Sequence, residues 1–367
     1  MKKENLITVI LFLTAIFGLG GAFWIVKDRT FSENENRYLA QAPEISVKSV
    51  IDGDFMEQAD EYVSDQFVLR DGFMAAASML QRASGRKDIN GVYIGEDGYL
   101  ISKTEERDVD RKLLDGNIKS VNDFFGKCDI PGKKVMMAVP TAALVLRDKL
   151  PENAPEFDQE EVISEISGGI STGTVLDATE YLVADGAQTY YRTDHHWTTE
   201  GAYDAYRMYC SLYGRTAPYC DDDFMTVTGK FRGSLYSKVL LPDCRYDDIA
   251  AVQEPECEVI CDGKPGRLYH YEALDTKDKY NFFLGGNYGK VEIKGRGTGN
   301  LLVIKDSFAN CFVPFLIDDY DRIIMIDLRY YMGSVNSLIE DEKITDALIL
   351  YNVSNFMGDE NIIKLGL

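Results

Sequence analysis

Apolar runs and amphipathic stretches alternate along most of this 367-residue chain. Residues 134–140 form a compact apolar run, which is typical of a strand buried in a parallel sheet. A strand at 174–177 fits the same series. After residue 300 the alternation becomes regular, and it predicts strands at 300–305, 322–327 and 346–351, separated by helices at 308–315 and 334–341. This order indicates a doubly wound α/β sheet. We therefore expect neighbouring parallel strands at 135–139, 301–304, 323–326 and 347–350.

An apolar stretch near the N-terminus is long enough to cross a membrane. Residues 6–26 carry no charge over 21 positions and follow Lys2 and Lys3. A membrane-spanning helix needs about 20 residues, whereas the apolar region of a cleaved signal peptide has about 7–15. The length favours an uncleaved anchor. A signal peptide with its small-residue site at 18–22 is the alternative, and a buried core helix fits the N-terminal position poorly.

The pattern divides the chain into three parts. We predict a membrane anchor or signal at 1–28, a helical N-terminal extension at 29–100 and an α/β domain at 101–367. The extension contains two amphipathic helical stretches between residues 46 and 86. Residues 213–299 are rich in Gly, Asp, Tyr and Cys and show short strand patterns but no helical pattern. We interpret them as a β-rich insertion beside the site.

The charge balance excludes one class of partner. The whole chain has 39 basic and 60 acidic residues. Three of these lysines and one glutamate precede residue 28, so residues 28–367 hold 36 basic and 59 acidic residues, a net charge of −23. Such a surface repels phosphate backbones and anionic lipid headgroups. A nucleic-acid partner is therefore excluded, whereas neutral sugars, a cationic polymer or another protein fit the charge.

The seven cysteines leave two interpretations open. If the domain is extracellular, up to three disulfides can form, and one cysteine stays unpaired. Alternatively, most of them are small buried apolar residues. Because the chain has no Cys-Xaa-Xaa-Cys pair, the sequence argues against a structural zinc site.

The histidines point to one place for proton-transfer chemistry. The chain has only three, and two of them, His195 and His196, stand directly after Asp194. Histidine is the side chain best suited to move protons near neutral pH. The residues from Thr198 onward read as a helix with Thr198 as its N-cap, so a rigid element follows this loop. Because neighbouring side chains alternate on an extended chain, we expect only one of the two histidines to face a given partner.

Ser307 is a candidate nucleophile that such a histidine could activate. Ser307 follows a buried strand and precedes a predicted helix, which lifts it to the carboxyl end of a sheet, with backbone N–H groups nearby for an oxyanion. A serine needs a base, which His196 can supply while Asp194 orients the imidazole. The plainer interpretation is that Asp-Ser at this position caps the helix.

A family resemblance supports the first interpretation. Residues 193–197, Thr-Asp-His-His-Trp, resemble the signature of the DHHW family of exported bacterial proteins, which is similar to alginate-type O-acetyltransferases with an SGNH-hydrolase-like fold. In those relatives the Asp-Xaa-His-Trp string comes early and the serine-bearing strand end comes late, the reverse of ordinary SGNH hydrolases. Here Asp306 and Ser307 match the late Gly-Asp-Ser block, with Lys305 in place of the glycine. The resemblance runs from about residue 31 and includes residues 35–39 and 285–287.

The resemblance implies a fold and a set of site residues. The fold would be an SGNH-hydrolase-like doubly wound parallel sheet with permuted motif order, a β-rich insertion and an N-terminal membrane helix. Ser307 would be the nucleophile, His196 the base and Asp194 its orienter. Candidates for oxyanion or substrate binding are Gly286, Asn287, Asn352, Arg192, Tyr191 and Trp197. The glycine and asparagines are equally expected as turn residues, Trp197 as core, and Arg192 as the partner of a surface carboxylate.

The implied activity is serine-dependent acetyl transfer to or from a cell-surface polysaccharide, without a cofactor or metal. A membrane-embedded acyltransferase would supply the acetyl group, and the protein would be a single-pass cell-membrane protein with an extracellular domain, or else secreted. Alternatives are a carbohydrate esterase (deacetylase), in which water takes the acyl group, and a non-catalytic glycan-binding protein. A metal hydrolase using Asp194, His195 and His196 would need further ligands, and only His270 remains.

Overall fold

The computed structural model of the protein describes residues 3–32, 34–35 and 37–366. The first two residues of the predicted anchor, and Asn36 of the string at 35–39, lie outside the described residues. The chain divides into two compact units, Met1–Arg86 with Ser237–Pro242 and Lys87–Tyr236 with Asp243–Leu367.

The first unit is built from four helices and one short strand pair. Its elements are α1 (Lys3–Ile25), β1 (Phe31–Ser32), β2 (Arg37–Tyr38), α2 (Val47–Asp52), α3 (Asp54–Gln66) and α4 (Arg70–Ala83). The buried carboxylate of Asp65 accepts hydrogen bonds from Arg37 Nη1 and from the backbone N–H of Ala40, both at 2.8 Å. This side chain therefore fastens the irregular segment around β2 to α3.

Helix α1 contains the apolar stretch predicted from the sequence. Residues Leu6–Ile25 have a mean hydropathy of 2.3 and none of this stretch is buried. By length and composition the helix can cross a membrane, and a signal sequence meets the same criteria.

The second unit contains the remaining strands and most of the remaining helices. The strands are β3 (Asp88–Ile89), β4 (Val92–Ile94), β5 (Leu100–Ser102), β6 (Lys134–Val139), β7 (Thr174–Asp177), β8 (Met225–Phe231), β9 (Asp247–Ala251), β10 (Glu258–Cys261), β11 (Lys264–Pro265), β12 (Lys290–Lys294), β13 (Asn300–Lys305), β14 (Arg322–Ile326) and β15 (Asp346–Asn352). The helices from here to the C-terminus are α5 (Arg111–Lys127), α6 (Ala142–Val145), α7 (Gln159–Gly169), α8 (Thr179–Asp185), α9 (Thr199–Leu212), α10 (Ser234–Val239), α11 (Ala309–Phe312), α12 (Val335–Asp341) and α13 (Val353–Gly358).

Eight of these strands form the central sheet, in the order β11-β10-β12-β14-β13-β15-β6-β7. The five strands from β14 to β7 are parallel, and β12 pairs antiparallel with β14. The four segments expected to be neighbouring parallel strands are neighbours in this order, so that prediction is confirmed. Side chains of β13 alternate between two hydrophobic clusters, with Leu301 and Val303 on one face and Leu302 and Ile304 on the other. Because both faces are covered, the strand sequences are continuous apolar runs.

The segment 213–299 differs in part from its prediction. It is rich in strands, but β10, β11 and β12 belong to the central sheet instead of forming a separate insertion. Helix α10 also lies in this segment, where the sequence shows no helical pattern. The small sheet β3-β4-β5 lies in the second unit, whereas the predicted N-terminal extension at 29–100 includes most of its residues. The predicted domain ranges stay a prediction.

No disulfide is present among the described residues. Cys128, Cys210, Cys261 and Cys311 are buried. Cysteines in these positions act as small apolar residues.

One prediction concerns α1. The full-length protein should fractionate with membranes, and a chain that starts at Phe31 should stay in the soluble fraction, because the 20-residue apolar stretch is removed. Ultracentrifugation of lysates and immunoblotting measure the distribution. If the protein is instead recovered from the medium with a new N-terminus near Phe23, the apolar stretch is a cleaved signal.

Candidate active site

The loop that carries the paired histidines is closed at its base. Tyr190 and Trp197 form an antiparallel bridge, and the Thr198 side chain accepts a hydrogen bond from the Gly201 N–H at 3.1 Å, which is the predicted N-cap of α9. Trp197 is fully buried, and its indole N–H donates to the backbone oxygen of Phe308 at 2.9 Å. This hydrogen bond joins the loop to the turn that follows β13.

Asp194, His196 and Ser307 lie in one hydrogen-bonded series. His196 Nδ1 is 2.6 Å from Asp194 Oδ1, and His196 Nε2 is 2.7 Å from Ser307 Oγ. With Asp194 ionised, the Nδ1 position carries the proton, so Nε2 accepts from the serine hydroxyl. These atoms have the connectivity of a nucleophile, a base and an orienting carboxylate.

Asp194 is a buried carboxylate with a full set of donors. Its Oδ1 accepts the His196 N–H at 3.0 Å, and its Oδ2 accepts the Ser234 N–H at 2.7 Å. Burial opposes ionisation, but His195 and His196 and these hydrogen bonds outweigh it and hold the pKa of Asp194 well below its ordinary value. A Cβ atom at Gly233 would overlap the Asp194 side chain, so only glycine leaves room for the carboxylate there.

Ser307 stands at the carboxyl end of the central strand β13. The preceding Asp306 accepts hydrogen bonds from the N–H of Phe308 at 2.9 Å, from the N–H of Asn352 at 2.8 Å and from the Asn355 amide at 2.8 Å. These bonds fix the turn on both sides of the serine. Within residues 301–317, Ser307 alone is not fully buried. Among the described residues, no acceptor receives the Ser307 N–H, which leaves it for a ligand.

Tyr280 is a site residue that the sequence analysis missed. Its ring is stacked on the His196 imidazole, with centroids 3.8 Å apart and an interplanar angle of 8°. Its hydroxyl donates to the backbone oxygen of Ser307 at 3.1 Å and also contacts Cys311 Sγ at 3.3 Å. Tyr280 lies in a 3₁₀ turn of the irregular segment 213–299 with no motif around it, so no signal in the sequence identified it.

The two histidines do not point to opposite sides of the loop. Their rings are 3.8 Å apart, and His195 Nδ1 is 2.7 Å from Ser234 Oγ. The expected alternation is absent because residues 192–196 form a series of bends instead of an extended chain. Of the two rings, that of His196 is the one within hydrogen-bond distance of Ser307 Oγ among the described contacts.

Three of the predicted substrate-binding residues support the loop instead. Tyr191 is buried with its ring edge-on to Phe231 and Tyr280, and Trp197 is core. The Arg192 guanidinium lies 5.1 Å from the centre of the Tyr99 ring and 3.9 Å from the buried carboxylate of Asp247. Trp197 thus lies in the core, and Arg192 lies near a buried carboxylate instead of one at the surface. A role for these side chains in substrate binding stays a prediction.

The predicted oxyanion candidates separate into two groups. Asn352 has no free donor, because its amide donates to the backbone oxygens of Val139 and Pro140 and its oxygen accepts from Ser354. Gly286 and Asn287 instead lie against the Ser307 turn, where Asn310 Nδ2 is 3.4 Å from both Gly286 O and Asn287 Oδ1.

The ligand atoms of Asp194, His195 and His196 lie within 4.8 Å of one another, which is close enough for a metal ion. However, Asp194 Oδ1 and His196 Nδ1 already contact each other, and His196 Nε2 already contacts Ser307. The third histidine, His270, pairs with Glu272. The metal alternative needs a test that separates the two mechanisms.

Comparisons with known proteins match two family models to parts of this chain. The family model "DHHW protein" matches residues 180–326, a range that contains both the histidine loop and Ser307. The resemblance to the DHHW family is confirmed. A second model, "SGNH hydrolase-like domain, acetyltransferase AlgX", matches residues 92–229, so the chain is also similar to SGNH hydrolase-like acetyltransferases. No curated protein matches the chain.

Solved structures share the fold. A DHHW family protein from Eubacterium siraeum is 24% identical, with a TM-score of 0.64 over 76% of this chain and 97% of that one. PatB1 from Bacillus cereus is 21% identical, with a TM-score of 0.60 over 73% of this chain and 97% of its own. A second PatB1 structure, with a sulfonyl adduct, is 20% identical, with a TM-score of 0.59 over 74% and 97%. At these identities the likeness extends to the fold alone.

A prediction for this site concerns Gly233. Gly233→Ala should displace Asp194 and slow acylation of Ser307 by an activated acetyl ester by roughly 10²-fold, the cost of a misplacement of about 1 Å. The matched control is Gly116→Ala in α5, where a Cβ meets nothing within 4 Å. That change should leave acylation unchanged and raise the free energy of unfolding by about 0.5–1 kcal/mol. Equal acylation rates in the two variants would contradict this account of Gly233.

Another prediction separates the ring of Tyr280 from its hydroxyl. Tyr280→Leu removes the stacking on His196 and should slow acylation by about tenfold, since such ring pairs contribute about 0.5–1.5 kcal/mol. Tyr280→Phe keeps the ring and should slow it only a few-fold. Stopped-flow release of a chromogenic leaving group measures both rates. If the phenylalanine variant loses as much as the leucine variant, the hydroxyl is the more important group.

Proposed function

We propose that this protein transfers acetyl groups to or from a cell-surface polysaccharide through an acyl-enzyme on Ser307. The observation that supports this most directly is the series Asp194–His196–Ser307, with contacts of 2.6 Å and 2.7 Å, in which the serine alone opens to solvent. A helix cap would account for a serine here but not for its hydrogen bond to a buried, carboxylate-bound histidine.

In the first half-reaction His196 acts as the base. Nε2 takes the hydroxyl proton as Ser307 Oγ attacks the carbonyl carbon of the acyl donor, and Asp194 stabilises the imidazolium that forms. The carbonyl oxygen becomes an oxyanion, for which the Ser307 N–H is an available donor. When the tetrahedral intermediate collapses, the bond to the leaving group breaks and His196 gives its proton to that group.

In the second half-reaction a sugar hydroxyl takes the place of the leaving group. It loses its proton to His196, attacks the acyl carbon and releases Ser307 Oγ, which recovers the proton. Water in place of the sugar gives an esterase through the same acyl-enzyme. The two activities therefore differ in which hydroxyl reaches the acyl group and not in the triad.

The acyl group and the acceptor are proposed from the family relationship. The model that matches residues 92–229 is named for an acetyltransferase, and the resemblance to alginate-type O-acetyltransferases implies a polysaccharide acceptor. The net charge of −23 over residues 28–367 also fits a neutral or cationic polymer better than a phosphate-bearing one.

We extend the proposal to the organisation of the chain. Residues 1–28 would act as a membrane anchor or signal, 29–100 as an extension and 101–367 as an exported SGNH-like domain with an insertion near 213–299. Its motif order would be permuted, since His196 precedes Ser307 by 111 positions. A membrane-embedded acyltransferase would supply the acetyl group. A glycan-binding protein without activity is the alternative, and it leaves the triad contacts without a role.

The test is a covalent adduct. Incubation of the protein with an activated acetyl ester should add one acetyl group to Ser307, detected by peptide mass spectrometry. His196→Asn should lower the acylation rate by at least about 10³-fold, because a triad base is lost. His195→Asn should leave most of the rate, because His195 contacts Ser234 Oγ whereas His196 is bonded to Ser307 Oγ. A chelator should have no effect.

Ser307→Ala is the matched control, and it should take up no acetyl group at this peptide. An adduct on another residue, or none at all, would refute the proposal. Equal losses from both histidine variants, mimicked by a chelator and reversed by zinc, would favour the metal alternative.

A further inference from the structure

Lys305 is a buried cation beside the proposed nucleophile. Its side chain is only 1% exposed, which lysine tolerates only when its charge is paired or hydrogen-bonded. The Nζ atom donates to Asn287 Oδ1 at 2.7 Å and to Asn310 Oδ1 at 2.9 Å, and it lies 3.9 Å from Asp327 Oδ2. The ammonium group therefore has hydrogen-bond acceptors for two of its three protons, and the Asp327 carboxylate lies beyond hydrogen-bond distance.

These contacts surround the turn that carries Ser307. Lys305 ends β13 two residues before the serine, and Asn310 follows it by three. Asn287 comes from a different part of the chain, just before β12. Because β12 runs antiparallel to β14, its start lies at the same edge of the sheet as the carboxyl end of β13. Asn287 thus contacts residues on both sides of Ser307 in the sequence.

The ammonium group decides which way the two amides face. It has donors only, so both asparagines turn their oxygen atoms toward it. Asn310 Nδ2 then points to Gly286 O and Asn287 Oδ1, each at 3.4 Å. Asn287 is exposed, and its Nδ2 donates to no acceptor among the described residues. Lys305 therefore leaves the Asn287 N–H groups directed away from the lysine and available to a ligand.

Neutralising Asp327 does not account for Lys305. Arg329 already binds Asp327 with two hydrogen bonds, of 2.8 Å and 2.6 Å, whereas Lys305 remains 3.9 Å away. Burial lowers the pKa of Lys305 to about 8, with Asp327 and Asp306 partly opposing this. Replacing a buried ion pair by apolar side chains of similar volume is often neutral or stabilising, so stability alone is a weak reason for a charge here. A lysine at this position is therefore better explained by what it orients.

We propose that Lys305 is a positioning residue: it holds Asn287 so that the Asn287 Nδ2 group donates, together with the Ser307 N–H, to the oxyanion formed during acyl transfer. The inference rests on the proposed function. It assigns a role to the residue that stands where the resemblance has a glycine, and it selects Asn287 over Asn352 as the side-chain donor.

The test is a double-mutant cycle on the acylation rate of Ser307, measured with the full chain and p-nitrophenyl acetate. Asn287→Ala should slow acylation by roughly 10²–10³-fold, the effect of removing one oxyanion donor. Lys305→Met should slow it by at least about tenfold through loss of orientation. Because Lys305 acts through Asn287, the double variant should be no slower than Asn287→Ala. The KM for the ester should change little.

Two further variants separate orientation from stability. Asn287→Asp keeps an oxygen for Lys305 but loses the donor, so it should retain the thermal unfolding midpoint and still lose at least about 10²-fold in rate. This readout stands even if Lys305→Met does not fold. Lys294→Met removes an exposed lysine of β12 and is the control, with an unchanged rate expected.

Two results would overturn the inference while leaving Ser307 as the nucleophile: Asn287→Asp at the wild-type rate, or losses from Lys305→Met and Asn287→Ala that multiply in the double variant. Failure of the proposed function looks different, because the unaltered protein would then form no adduct on Ser307.

Discussion

The geometry of the site depends on an ionised carboxylate buried beside an imidazole. Moving a carboxylate out of water costs several kcal/mol unless its oxygens accept enough hydrogen bonds. Asp194 meets this need with the His196 ring, the His196 N–H and the Ser234 N–H. Each of these donors is thereby fixed in place. The requirement that stabilises Asp194 also sets the direction in which His196 faces Ser307.

Two other aspartates act in the same way at neighbouring loops. Asp247 accepts the N–H groups of Arg192 and Thr193, both at 2.9 Å, and Asp306 accepts those of Phe308 and Asn352. Buried loop N–H groups have no strand or helix partner, so a side-chain acceptor must supply the hydrogen bond. The histidine loop and the serine turn are therefore held by carboxylates instead of by regular secondary structure. The hydrogen bond from Trp197 to Phe308 O then connects the two.

The sequence predicted those parts of the molecule that follow a local pattern. Strands β6, β13, β14 and β15 are buried on both faces, so their apolar runs identify them directly. Asp194, His196 and Ser307 were found because histidine is scarce and because a strand, a serine and a helix stand in series. Gly233, Ser234 and Tyr280 lie in the segment 213–299, whose sequence has no helical periodicity. The tertiary fold brings them to the histidine loop. The donors of Asn352 could not be assigned either, since their partners, Val139 and Pro140, are more than 200 residues away.

The ends of the central sheet have a consequence for how copies of the protein meet. One edge is β11, a strand of two residues, Lys264–Pro265, and the other is β7, a strand of four. Proline offers no N–H to a further strand, and a charged lysine beside it discourages pairing. Extension of the sheet by a strand from a second copy of the chain is therefore disfavoured at the β11 edge.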